Sequence, residues 1–145
     1  MIKILCIGKL KESYLKDAVN DYLKRISKYT KIELIELKDS NINNEKEEIQ
    51  KHIKTSEHIV SLAIEGKELN TIEFKNLIEN NLTNGNSNIT FIIGGSDGIH
   101  EDIKKLSNEK ISFSLLTYPH GLFRVILLEQ IYRCFKIMNN ETYHK

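Results

Sequence analysis

Apolar positions along the chain fall into two alternating kinds of segment. Short runs rich in β-branched residues at 2–7, 59–64, 89–93 and 111–116 predict buried strands. A further run at 31–37 interleaves charge with Ile32, Leu34, Ile35 and Leu37, and so predicts a strand less buried than the first. Between these runs the spacing lengthens to three and four. Leu15, Ala18, Val19, Tyr22, Leu23, Ile26 and Tyr29 predict an amphipathic helix capped by Ser13. Ile49 and Ile53 predict a weakly amphipathic surface helix over 45–55, Ile72, Leu77 and Ile78 a helix over 71–81, and residues 101–106 a short one. A hydrophilic turn cluster spans 84–88. Strands alternating with helices predict a single α/β domain over residues 1–145, with a mainly parallel sheet flanked by helices.

The last third, 111–145, carries the longest apolar segment. Its strand run breaks at Thr117, Tyr118, Pro119, His120 and Gly121 and gives way to a buried helix, then to a short aromatic and basic tail. Turning that helix by about 100° per residue puts Glu129, Gln130, Arg133 and Lys136 in one polar stripe. Arg124 falls on the other side, amid Val125, Leu127, Leu128, Ile131, Tyr132 and Phe135. A guanidinium there is costly unless something meets it, because its charge cannot be titrated away. The apolar arc of this helix is also wider than one sheet can cover, which predicts a second covering surface.

Parallel sheets place their sites beyond the carboxyl ends of the strands. That rule selects the turn at Glu65, Gly66 and Lys67, the loop Gly94, Gly95, Ser96, Asp97 and Gly98, and the loop 117–121. The glycine loop is either a tight strand-to-helix turn or a cradle that lets a nucleotide-like ligand approach the backbone. Its glycines match neither the dinucleotide fingerprint nor a phosphate loop, which argues against ATP hydrolysis and NAD chemistry. His52, His58, His100, His120 and His144 show no metal-ligand spacing.

Composition changes this picture little. A net charge of +1 argues against a long basic surface for nucleic acid. The distribution is uneven, however: Lys and Arg outnumber Asp and Glu by nine to five over 1–38 and five to two over 110–145, but fall short by seven to thirteen over 39–109. If the two ends meet on one face, a local positive patch forms. Cys6 and Cys134 read as buried hydrophobes rather than as a disulfide. No run reaches membrane-spanning length and no signal-peptide core is present, so the expectation is a cytoplasmic protein with no membrane partner.

The stretches FIIGGSDG at 91–98, FSLLTYPHGLFRVILLEQIYRCFKI at 113–137 and the terminal YHK, with the opening KILCIGKLKESY, resemble the RlmH type of ribosomal RNA methyltransferase, minimal members of the SPOUT superfamily. The resemblance spans essentially the whole chain, and the region 38–57 is shorter than is usual there. It implies an α/β domain whose C-terminal segment forms a trefoil knot, an exception to the rule that chains do not thread loops. It also implies a homodimer, S-adenosylmethionine as cofactor with no metal, and methylation of N3 of a pseudouridine in 23S ribosomal RNA within the ribosome.

Carried over by position, the resemblance implies cofactor contacts at Leu62, Gly94, Gly95, Phe113, Ser114, Leu115, Leu116, Thr117 and Tyr118. For catalysis it directs attention to Arg124, Tyr143 and His144: Arg124 against charge developing on the base, with a structural ion pair across the dimer as the other reading, and the tail for stacking or proton transfer. Two rival functions are a non-catalytic cofactor-binding module and a SPOUT methyltransferase acting on another RNA.

Overall fold

In a computed structural model, which describes residues 1–84 and 88–145, the apolar runs become five parallel strands ordered β2-β1-β4-β3-β5. Gly85, Asn86 and Ser87 of the expected turn cluster lie outside the described residues. The strands are β1 (Ile2–Ile7), β2 (Ile32–Leu37), β3 (His58–Glu68), β4 (Ile89–Ile93) and β5 (Glu109–Ser112). The helices are α1 (Ser13–Ile26), α2 (Ile42–Gln50), α3 (Thr71–Thr83), α4 (Glu101–Leu106) and α5 (His120–Met138).

Side chains alternate across a strand, so the continuous runs feed two cores. Ile2, Ile4, Cys6, Val60, Phe91 and Ile93 pack with α1, α3 and α5 on one face. Leu5, Ile7, Ile59 and Ile92 pack with Ile49 of α2 and Ile103 of α4 on the other. β2 lies at one edge and β5 at the other, which explains why the 31–37 run keeps exposed charges.

Several expected boundaries move for identifiable reasons. Ser13 is the first residue of α1 and does not cap it; Glu12 precedes the helix without a side-chain bond. α2 starts earlier than the apolar spacing indicates, because the Asn41 side chain accepts the Asn44 N–H at 2.9 Å and caps it. α3 starts where expected, on a reciprocal box of Asn70 and Glu73. β3 runs on through the expected turn at Glu65, Gly66 and Lys67: its register with β5 shifts between Leu62 and Lys67, both opposite Ile111. This bulge needs Gly66, since a β-carbon there would lie 2.7 Å from the Ile111 backbone. β5 in turn stops at Ser112 rather than continuing to 116.

Cys6 and Cys134 are free and buried as expected, and burial pushes both thiols up to about 12. Thiol titration at pH 8 should therefore find no reactive cysteine in the native protein and two per chain in denaturant, because the thiolate is the reactive form. Rapid native-state labelling of either would contradict the packing described.

Candidate functional site

The β3 bulge, the glycine loop after β4 and the segment after β5 converge on a cavity of about 370 Å³ at the carboxyl ends of these strands. Leu62, Ile93, Ile99, Ile111, Phe113 and Phe123 give it apolar walls, with Tyr118 beside them. Beyond Ser112 the chain adopts neither strand nor helix until His120. Serine side chains shape this stretch: Ser112 Oγ donates to the Ser114 carbonyl at 2.9 Å, and Ser114 Oγ accepts the Leu116 N–H at 2.9 Å. Rings hold it against the helices, with Phe113 edge-on to Phe74 and Phe123 and Tyr118 stacked on Phe123.

Of the nine expected cofactor contacts, Leu62, Gly94, Gly95, Phe113, Ser114, Leu116, Thr117 and Tyr118 line this cavity, and Leu115 does not. Leu115 and Leu116 are each 71% exposed, so this loop presents a bare apolar edge. The glycine loop has structural reasons of its own. A β-carbon on Gly94 would lie 2.7 Å from the Gly98 backbone, and Gly98 has φ +78°, so the loop folds back on itself. Behind it Glu45, 3% exposed, accepts the Ser40 N–H at 2.9 Å. Burial, helped by Asp39 and Asp97 and opposed by that amide, holds the Glu45 carboxyl above its ordinary range.

Arg124 is 2% exposed and does not line the cavity. Its Nη1 donates to Glu36 Oε2 at 2.6 Å, and its Nη2 donates to the carbonyls of Gly8 at 2.8 Å and Ile7 at 3.2 Å. Glu36 Oε2 also accepts the Leu10 N–H at 2.8 Å. The misplaced arginine thus ties the first turns of α5 to the ends of β1 and β2 through an ion pair within the chain. Its Nε, buried, has no partner among the described residues.

The tail packs at the far end of α5. Arg133 Nε donates to Glu129 Oε1 at 2.9 Å, and Tyr143 Oη donates to the same oxygen at 3.3 Å. Arg133 Nη1 donates to His144 Nδ1 at 3.1 Å. A guanidinium can only donate, so Nδ1 accepts and the ring proton sits on Nε2. The Arg133 guanidinium also lies over the Tyr143 ring at 4.9 Å. Burial, with Glu129 adding to it, pushes the Tyr143 hydroxyl up to about 12. Tyr143 also meets Tyr132 edge-on at 4.9 Å. Tyr143 and His144 are thus brought together with each other, but not with the cavity or with Arg124.

A family model described as "Predicted SPOUT methyltransferase" matches residues 1–144. The chain belongs to the SPOUT methyltransferase family. A "Ribosomal RNA large subunit methyltransferase H 1" of Clostridium perfringens is 46% identical over 99% of this chain and 99% of its own length. A "Ribosomal RNA large subunit methyltransferase H" of Clostridium botulinum is 47% identical over the same shares. These relatives bear out the resemblance to the RlmH type. Among solved structures, the A. aeolicus TrmH/SpoU tRNA modifying enzyme aligns with a TM-score of 0.51 at 12% identity, covering 95% of this chain and 77% of that one. The SpoU methyltransferase AviRb from Streptomyces viridochromogenes gives 0.51 at 9%, covering 98% and 62%. Both show that the fold is shared.

Glu129, Arg133 and Lys104 are not among the site candidates read from sequence. Glu129 and Arg133 appeared only as members of a polar stripe, although their spacing of four was a signal for a pair. Glu65 lies in the turn selected after the third strand run, but its pairing with Lys104 gave no signal because the bulge and α4 bring the two together only in the fold.

Two outcomes test this geometry. Glu36→Ala strands a buried cation, whereas Arg124→Met leaves a carboxylate that water reaches. Urea denaturation should find Glu36→Ala destabilising by about 3 kcal/mol and Arg124→Met by less than half as much; the opposite ranking would exclude this account of the pair. For Glu45 the folded protein holds the proton more tightly than the unfolded chain, so stability is lost as pH rises from the ordinary value of 4.5 through the folded one. Glu45→Gln should therefore be more stable than the parent at pH 8, with the advantage shrinking towards pH 4.

Proposed function

We propose that this protein transfers a methyl group from S-adenosylmethionine to N3 of a pseudouridine in large-subunit ribosomal RNA, acting as a homodimer on the assembled ribosome in the cytoplasm. The observation that carries the reading is identity of 46% and 47%, across essentially the whole chain, to relatives named for large-subunit ribosomal RNA methylation. The cavity fits the cofactor on its own terms. Its volume is within the range of small-molecule sites, and its apolar and aromatic walls suit a flat adenine. Leu62, Gly94, Gly95 and the segment 113–118 would hold it, with Leu115 at the rim.

The cofactor when bound supplies an electrophilic methyl on a sulphonium, so the protein has to align the target nitrogen and ease loss of its proton. Tyr143 offers a ring for stacking. His144, with its proton on Nε2, offers a hydrogen bond to a carbonyl oxygen flanking N3, where charge develops as that nitrogen loses its proton. Arg124 contributes as a positioning residue, fixing the N-terminal turns of α5 beside the cavity.

Phe123 at the cavity and Arg133 at the tail are ten residues apart, roughly 15 Å along the helix. One chain therefore holds the two halves of the proposed site apart. This separation supports the homodimer, in which a second copy running the other way brings its tail to the cavity. Half-open Val125 and Ile126 and exposed Leu115, Leu116 and Leu122 offer the apolar surface for it. The trefoil knot belongs to the same proposal: β5 lies at the sheet edge beyond β3, yet α5 packs on both α3 and α1, a return path compatible with threading.

Mass spectrometry of ribosomal RNA from cells with and without this protein should find one methylated pseudouridine lost without it. With purified components, removal of residues 142–145 should lower methyl transfer to undermodified ribosomes by at least about 100-fold. Binding of S-adenosylmethionine should stay within about threefold of the full chain, since the tail does not line the cavity. Undiminished transfer by the shortened chain would remove the tail from the mechanism.

A further inference from the structure

Within the cavity one feature is unused by the reading above. Among the described residues that line it, Glu65 and Lys104 are the only carboxylate and the only lysine or arginine, and they face each other as an ion pair. They come from different elements: Glu65 from the β3 bulge and Lys104 from α4. The Lys104 side chain is only 14% exposed, although a lysine on a six-residue surface helix is free to extend into water. It also meets Glu101 at 3.4 Å, on its outer side.

We infer that the Glu65–Lys104 pair receives the amino-acid end of the cofactor, Lys104 taking its carboxylate and Glu65 its ammonium. The inference rests on the cofactor reading above and extends it to residues that the resemblance did not assign. Its basis is complementarity: the end of S-adenosylmethionine that carries a carboxylate and an ammonium is a zwitterion, and this cavity holds one opposed pair of charges on otherwise apolar and hydroxyl-bearing walls. A bound zwitterion exchanges one ion pair for two of the same kind without adding net charge to the site. An isolated lysine would instead favour any anion, and an isolated glutamate any cation.

The charge directions agree with this placement. The hydrogen bond from Lys104 holds the Glu65 carboxyl below its ordinary range, and the bond to Glu65 holds the Lys104 ammonium above its own. Both groups are thus ionised wherever the zwitterion is.

Two ligands separate this role from a merely structural one. S-adenosylhomocysteine carries the amino-acid end; 5′-methylthioadenosine has the same adenosine and a neutral sulphur but lacks that end. Calorimetry on the full-length protein should find Lys104→Met weakening S-adenosylhomocysteine by about tenfold while 5′-methylthioadenosine changes by less than about twofold. Glu65→Gln should show the same selectivity, and Lys104→Arg should keep S-adenosylhomocysteine within about threefold. Equal losses for both ligands, or no loss for S-adenosylhomocysteine, would overturn the assignment. If the unaltered protein binds neither ligand, the cofactor reading itself fails, an outcome distinct from failure of the pair's role alone.

Discussion

A guanidinium that cannot lose its charge sits almost fully buried at the junction of β1, β2 and α5, and the arrangement around it follows from the need to satisfy it. Glu36 supplies the countercharge from the end of β2, and the carbonyls of Ile7 and Gly8 turn inward from the end of β1. The same Glu36 oxygen holds the Leu10 amide, so the loop leaving β1 is fixed at two points. α5 is therefore pinned near its N-terminus, where Phe123 faces the cavity, instead of being held only by the non-directional packing of its apolar arc on α1 and α3. A buried pair of this kind adds little net stability, but it penalises any other placement of the helix strongly.

The cavity itself arises from the sheet's failure to continue. β5 leaves the ladder after Ser112, and β3 bulges outward at 63–66, so two adjacent strands stop shielding the same patch of core. The space between them is closed by a glycine loop that folds on itself and by aromatic rings set edge to face. Irregular backbone at strand ends gives the segment 113–118 groups that no neighbouring strand occupies, which suits recognition of a polar ring edge. The exposed Leu115 and Leu116 are the other side of that arrangement, because the turn that opens the cavity also leaves apolar side chains at its rim.

The second functional region is built on a different principle. Arg133 is held by Glu129 one turn below, and from there it braces Tyr143 through its ring face and His144 through a hydrogen bond. A chain terminus that makes few contacts frays; this one is fixed to the most regular element of the molecule. The tail has a defined shape, and its distance from the cavity along α5 is what connects the site's chemistry to assembly.

Much of this was legible in the residues, for reasons of period. Continuous β-branched runs and spacings of three and four are local consequences of backbone geometry, so the order of strands and helices, the parallel sheet and the buried thiols could be read directly. Arg124 stood out because burial and charge conflict on any apolar face, whatever the fold. The motif stretches carried the family and seven of the eight expected contacts that line the cavity, Leu62 lying outside them. What tertiary structure alone decided was every pairing across distance: that Arg124 meets Glu36, that Gly66 lets Ile111 pass, that Glu45 lies beneath the glycine loop, and that Glu65 faces Lys104. These partners are separated by 39 to 88 residues. No local period encodes such separations, because they are set by which strands lie side by side and where a bulge shifts the register.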